Sequence, residues 1–146
     1  MTTGAALSDR IDELSPSDCW ALLRGTGLGR LATAVDGFAD IFPVNYFVHE
    51  ESILFRTAPG SKLVNIALNP GVAFEVDGVD TRWHWSVVIH GKAQQLLSPS
   101  DVLESGVMEL VSWSPTAKHD YVRITPDDVN GRRIDRHSFP RASLWG

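Results

Sequence analysis

Between Gly29 and Thr57 the chain offers three strand-length segments in direct succession, with no stretch between them long enough for a helix. Arg30-Leu31-Ala32-Thr33-Ala34-Val35 is closed by Asp36-Gly37, a pair suited to a two-residue hairpin turn. Ala39 to His49 follows, rich in Ile, Val and aromatic residues, and Glu50-Glu51-Ser52 turns it into Ile53-Leu54-Phe55-Arg56-Thr57. Strands joined this closely can only pair antiparallel, because a parallel crossover needs a dozen or more residues. Pro43 inside the second segment removes a ladder donor. It predicts an edge, a bulge or a place where a ligand takes over the pairing.

The rest of the chain extends this pattern. Val72 to Asp77 and Trp85 to Ala93 read as a fourth and fifth strand, and Asp120 to Thr125 as a sixth, closed by Pro126-Asp127-Asp128. Ser15-Pro16-Ser17-Asp18 starts a short helix, with Cys19, Trp20, Leu22 and Leu23 as its apolar face and Gly25, Gly27 and Gly29 beyond it. Ser61 to Leu68 suits a second helix, with Ser61 as its cap and Asn69-Pro70-Gly71 as its stop. Ser98 to about Ser112 suits another. The expected fold is mainly β with short helices: a closed or nearly closed antiparallel barrel of six strands. Residues 1–15 read as a loosely ordered leader and 16–146 as a single domain, in keeping with a length of 146 residues.

Composition narrows the function classes. The net charge of −5 lacks the basic surplus that supplies most affinity for a nucleic-acid backbone, so nucleic acid is not expected as a partner. No apolar run approaches the length of a membrane span, and no basic and apolar export signal opens the chain. With Cys19 as the one cysteine, a cytoplasmic location is the expectation. His84 and His90 have no cysteine or carboxylate beside them to complete a metal set. No Ser sits in a G-x-S-x-G elbow, and the glycines of residues 24–29 precede a strand, the reverse of a phosphate-loop order.

The segment most suggestive of chemistry is Phe55-Arg56-Thr57-Ala58-Pro59-Gly60-Ser61-Lys62, which passes from a strand end through a turn into a helix start. Unpaired N–H groups and the positive end of the dipole favour an anion there. Lys62 in the first turn has the wrong sign for that dipole, a conflict that a bound phosphate removes. Ser61 adds a hydroxyl and Arg56 a planar cation. The same residues also fit a plain surface, with Ser61 as a cap and Lys62 and Arg56 as solvated charges. Spacing alone leaves both readings open. Asn45, within Phe42-Pro43-Val44-Asn45-Tyr46, offers an amide that donates and accepts in an apolar strand, either toward solvent or toward a heteroaromatic ring. Trp83 and Trp85 share a strand face and suit a flat ligand or a subunit contact.

Taken in order, Gly29-Arg30-Leu31-Ala32-Thr33, Pro43-Val44-Asn45-Tyr46, Leu54-Phe55-Arg56-Thr57 with Ser61-Lys62 and Asn69-Pro70, and Val87-Val88-Ile89-His90-Gly91-Lys92-Ala93 resemble the pyridoxamine 5'-phosphate oxidase-like family of flavin-binding split barrels. The likeness is closest to its smaller members and runs from about Asp18 to Ile134. The resemblance implies a homodimer with two FMN sites at the interface, each drawing on both chains, and a flavin-dependent oxidoreductase acting on a small molecule. It assigns Arg56, Thr57, Ser61 and Lys62 to the phosphate and ribityl chain, Pro43, Val44 and Asn45 to the ring, and Trp85, Ser86 and Val87 to the strand that reaches the cofactor near the interface. Trp85 and Ser86 stand where the vitamin-oxidising members carry a basic residue and a glutamine, and their C-terminal arginine motif is not evident in Val129 to Ile134. Other small members bind the deazaflavin F420, haem or a tetrapyrrole. F420 is therefore the alternative cofactor, with Arg24, Arg30, Arg132 and Arg133 as candidates for its anionic tail. A flavin- or tetrapyrrole-binding module without turnover is the alternative function.

Overall fold

A computed structural model describes residues 11–97 and 120–137 of the chain. Its elements, in chain order, are β1 (Ile11–Glu13), α1 (Pro16–Arg24), β2 (Leu28–Val35), β3 (Phe38–His49), β4 (Ser52–Thr57), α2 (Ser61–Leu68), β5 (Gly71–Val79), β6 (Trp83–Leu96) and β7 (Asp120–Asp135). Every strand pairing is antiparallel. β7, β4, β3, β2, β5 and β6 are neighbours in that order, and β6 pairs back with β7. Six strands therefore close into a ring. The expected helix from Ser98 to Ser112, and Trp113, lie outside the described residues.

Local chemistry accounts for the joints. Asp36 and Gly37 both have positive φ, 51° and 82°, the conformation that a tight hairpin turn demands. Ser15 caps α1 by accepting from the Asp18 amide at 3.1 Å, with Pro16 in the first turn. Asp80 builds the β5–β6 turn, its carboxylate accepting from the amides of Arg82 at 2.9 Å and Trp83 at 2.7 Å. Those backbone donors hold its pKa below the usual carboxylate value. Alternation along the strands sends Leu31, Val44, Tyr46, Ile53, Phe55, Phe74, Val76, Val87, Ile89, Val122 and Ile124 into one core. Each large apolar side chain buried in this way contributes about 1.5–3 kcal/mol.

α1 packs onto that core through Cys19, Trp20 and Leu23, all buried. It is tied to β3 by Tyr46, whose hydroxyl donates to the Leu23 carbonyl at 2.6 Å and whose amide donates to Gly27 at 3.0 Å. Burial pushes the Tyr46 phenol up to about 12. Among the described residues no helix is long and apolar enough to cross a membrane.

Three local expectations are corrected. Ile11–Glu13, placed in a loose leader, forms β1 and pairs with Arg132 to Ile134, giving a seventh strand. β7 does not stop at Pro126: β6 pairs with it along its whole length, and a register shift between His90 and Gly91 leaves Asp127 as the extra residue. Ser61 does not cap α2. Gly60 holds the cap position, without a side-chain cap bond.

Candidate functional site

β4 pairs with β3 only from Tyr46 to His49, so the first part of β3, residues 38–45, has β2 on one side and, among the described residues, no strand on the other. Because the Tyr46 amide points to Gly27 on the β2 side, alternation sends the backbone groups of residues 41, 43 and 45 to the free edge. Of the three expectations for Pro43, the edge position is the one found, and its missing N–H falls on the side without a strand partner among the described residues.

After Thr57 the chain leaves the sheet and returns as α2, which lies against this region. The Lys62 ammonium donates to the Thr57 hydroxyl at 3.2 Å and stands 5.5 Å over the Phe42 ring. Thr57 is buried, Lys62 half-buried, and Ser61 exposed as the first residue of the helix. Desolvation lowers the Lys62 pKa, and among the described residues no carboxylate forms an ion pair with it. One turn further on, the Asn65 amide donates to Thr33 at 3.1 Å and to Asp40 at 3.0 Å. Asn69 donates to the Ala34 carbonyl at 2.8 Å. A desolvated cation beside a hydroxyl and a helix start, without a carboxylate to neutralise it, suits a phosphate.

The expected site residues divide into groups. Thr57 and Lys62 come together, Phe42 joins them, and Ser61 stands exposed beside Lys62 in the chain. Pro43 and Asn45 lie next to them along β3 but are exposed on the outer face, whereas the Val44 side chain is buried in the core. A ligand running along the free edge of β3 would meet both sets. Arg56 is half-buried in register with Tyr121, and alternation turns its side chain to the face opposite Thr57. Trp85, Ser86 and Val87 are not brought to the cluster. β2 and β5 separate β6 from β3, about 14 Å at the usual strand spacing.

On β6 itself the three residues part company. Val87 is fully buried, Trp85 lines a groove of about 250 Å³ with Leu22, Trp83 and Arg133, and Ser86 opens on a cleft of about 460 Å³ with Glu13, Asn130 and Arg132. Of the cations proposed for a longer anionic tail, Arg30 bonds Glu75 at 3.0 Å and Asp77 at 3.2 Å. Arg133 bonds Asp12 at 3.0 Å and stacks 4.1 Å from Trp83, and Arg24 donates to the Glu50 carbonyl at 3.0 Å. Phe42, Asp40 and Asn65 escaped the sequence reading. Asn65 left one trace there, an amide in the apolar run from Leu63 to Leu68.

Comparison with known proteins bears on this arrangement. Residues 15–133 match the family model for pyridoxamine 5'-phosphate oxidase. The solved structure of an FAD binding protein from Mycobacterium smegmatis is 40% identical, with a TM-score of 0.74 over 85% of this chain and 98% of its own. A putative pyridoxamine 5'-phosphate oxidase from Corynebacterium glutamicum is 35% identical, with a TM-score of 0.77 over 86% of this chain and 94% of its own. An uncharacterized protein of Mycobacterium tuberculosis is 36% identical over 87 residues, 60% of this chain and 79% of that protein.

Proposed function

The chain belongs to the pyridoxamine 5'-phosphate oxidase family, and on that premise we propose that it binds a flavin nucleotide, FMN, along the free edge of β3 and acts as a flavin-dependent oxidoreductase. The observation that carries this reading is the Lys62 ammonium, half-buried at the start of α2 beside the Thr57 hydroxyl and without a carboxylate partner among the described residues. Lys62, Thr57 and Ser61 hold the phosphate. The edge groups of Pro43 and Asn45 face the ring, where a C=O and an N–H match the alternating donors and acceptors of a flavin. The bound cofactor supplies the hydride or electron chemistry, and the chain binds it, orients it and limits its contact with water.

A second copy of the chain completes the site in this reading. Pro43 and Asn45 share the outer face of the sheet with Ser86, with two strands between them, so a partner packed on that face brings its own Ser86 to the ring. Two features support this. Ala32, Ile41 and Ala73 make a shallow apolar groove on that face, and Arg30 lies between Glu75 and Asp77, giving it both signs of charge.

An FAD reading is favoured by one observation, the 40% identity to the FAD binding protein of M. smegmatis. Absorption spectra after gel filtration, with FMN, FAD or the deazaflavin F420 added in turn, separate these cofactors. Flavin bands that stay with a dimer-sized peak support the proposal, and a protein that retains neither FMN nor FAD sinks it. Reduction of the bound flavin by a nicotinamide donor, followed by reoxidation with a substrate, separates an enzyme from a carrier.

The pH dependence of binding has a definite sign. Desolvation lowers the Lys62 pKa in the free protein, and a bound phosphate raises it again, so binding takes up a proton between the two values. FMN affinity is therefore expected to be greatest below the lowered pKa and to fall as pH rises through it. Fluorescence titration of FMN and of riboflavin across the alkaline range checks this. Riboflavin has no phosphate, and a parallel decline of both ligands would contradict the assignment.

A further inference from the structure

We propose that Asn65 is a positioning residue for this phosphate site, setting the register of α2 against the free edge of β3 through Asp40 and Thr33. The inference rests on the flavin reading above and adds to it a residue that touches no cofactor.

α2 needs such a device. At eight residues it is too short to be stable alone in water, and no side chain caps its start. Its position therefore depends on lateral contacts. Ile66, buried in the core, supplies the apolar one and Asn65 the polar one, three residues from Lys62 on the same side of the helix. Both protons of its amide are used, one toward the Thr33 hydroxyl at 3.1 Å and one toward the Asp40 carboxylate at 3.0 Å. A carboxylate only accepts, so Asp40 also determines which way round the amide sits. Thr33 is 2% exposed, which makes it a firm anchor on β2.

The geometry makes the link to Lys62 direct. Asp40 and Phe42 are two residues apart on β3 and so share a face. Asp40 holds Asn65 while Phe42 lies under Lys62 at 5.5 Å. Two contacts thus run side by side between β3 and α2, one at residues 40 and 65 and one at 42 and 62. Losing the first frees the helix to slide or rotate over the second, which displaces the ammonium and the helix-start amides from the edge that holds the ring. The bond to Asp40, a charged acceptor, is the stronger of the two that Asn65 donates.

The test compares FMN with riboflavin, which carries the same ring and ribityl chain without the phosphate. Wild type is expected to bind FMN the more tightly. In Asn65→Ala, FMN affinity should fall about tenfold, the worth of a hydrogen bond to a charged group, while riboflavin affinity changes by less than about twofold. Asn65→Asp, which sets a second carboxylate against Asp40, should lose at least as much. The double exchange Asp40→Asn with Asn65→Asp restores a donor and an acceptor across the same gap and should recover most of the FMN preference. It also keeps the proposal testable if Asn65→Ala fails to fold.

Equal losses for FMN and riboflavin in Asn65→Ala, or an exchange that folds without recovering FMN preference, would overturn the assignment of Asn65 alone. A wild-type protein that does not distinguish FMN from riboflavin overturns the phosphate site itself, and the role of Asn65 with it. The two failures are therefore told apart by the wild-type titration.

Discussion

Lys62→Ala is expected to weaken FMN binding by about 1.5–3 kcal/mol, roughly 10- to 150-fold, while leaving riboflavin binding nearly unchanged. The size follows from the loss of a charge-assisted contact to phosphate in a partly desolvated setting. Its selectivity follows from position, since Lys62 lies at the start of α2 against Thr57 and Phe42, away from the exposed faces of Pro43 and Asn45. The same substitution should not destabilise the free protein. Burial disfavours the charged form of Lys62 there and lowers its pKa, so the relief of a desolvated cation offsets the loss of the bond to Thr57 and of the contact with the Phe42 ring. The combination of lost FMN affinity with an unchanged unfolding midpoint is what distinguishes a ligand contact from a structural one. Isothermal titration with both flavins, together with urea unfolding of the free protein, measures the two quantities. Unchanged FMN affinity would remove Lys62 from the site.

Gly91→Ala is expected to be the more damaging change to the fold, at about 3 kcal/mol, the upper end of the usual cost of forcing extra atoms into a packed interior. Gly91 follows the register shift between β6 and β7. A Cβ there would run into the Thr125 carbonyl oxygen and lie 3.0 Å from the Pro126 Cα. Both neighbours are backbone atoms, so no rotamer change makes room. β6 and β7 would have to separate where they close the ring, and the Ala93 amide bond to Pro70 at 2.8 Å lies two residues away. That bond holds the point where α2 gives way to β5, so loss of the closure should also loosen the phosphate side of the site. Chemical denaturation is expected to show a lower midpoint, and FMN saturation should recover part of it because ligand binds only the folded state. A midpoint equal to wild type would mean that β6 and β7 do not approach this closely in solution.

Much of the barrel was legible because its signals are local. Asp36-Gly37 adopts the two positive-φ conformations its residue types permit, and the hairpin between β2 and β3 follows from them. Ser15-Pro16 starts α1 for the same kind of reason, a hydroxyl acceptor three residues from an amide. The donor that proline lacks limited Pro43 to an edge, a bulge or a ligand-paired place, and the edge is where it lies. Other features depend on partners distant in sequence. β1 exists because Arg132 to Ile134 of β7 leave an edge that Ile11–Glu13 can pair with, and nothing in those three residues announces it. β7 runs on past Pro126 because β6 opposes it throughout and the bulge absorbs the mismatch.

The candidate site divides in the same way. Residue types alone marked Ser61 and Lys62 as either an anion site or a plain surface, because a cation in the first turn of a helix conflicts with the dipole wherever the helix lies. Residue types could not show that Phe42 lies beneath that cation, that Asp40 and Thr33 hold Asn65, or that Arg56 turns away from Thr57. Nor could they show that β2 and β5 stand between Ser86 and Asn45, so that one copy of the chain leaves the two apart. The sequence by itself determined most of the strand and turn pattern, the mainly antiparallel barrel and a helix start with a cation in its first turn, since these follow from φ/ψ preference, side-chain alternation and charge within a few residues. The tertiary structure decided which side chains share the Lys62 site, because closing the ring brings together residues that lie far apart along the chain.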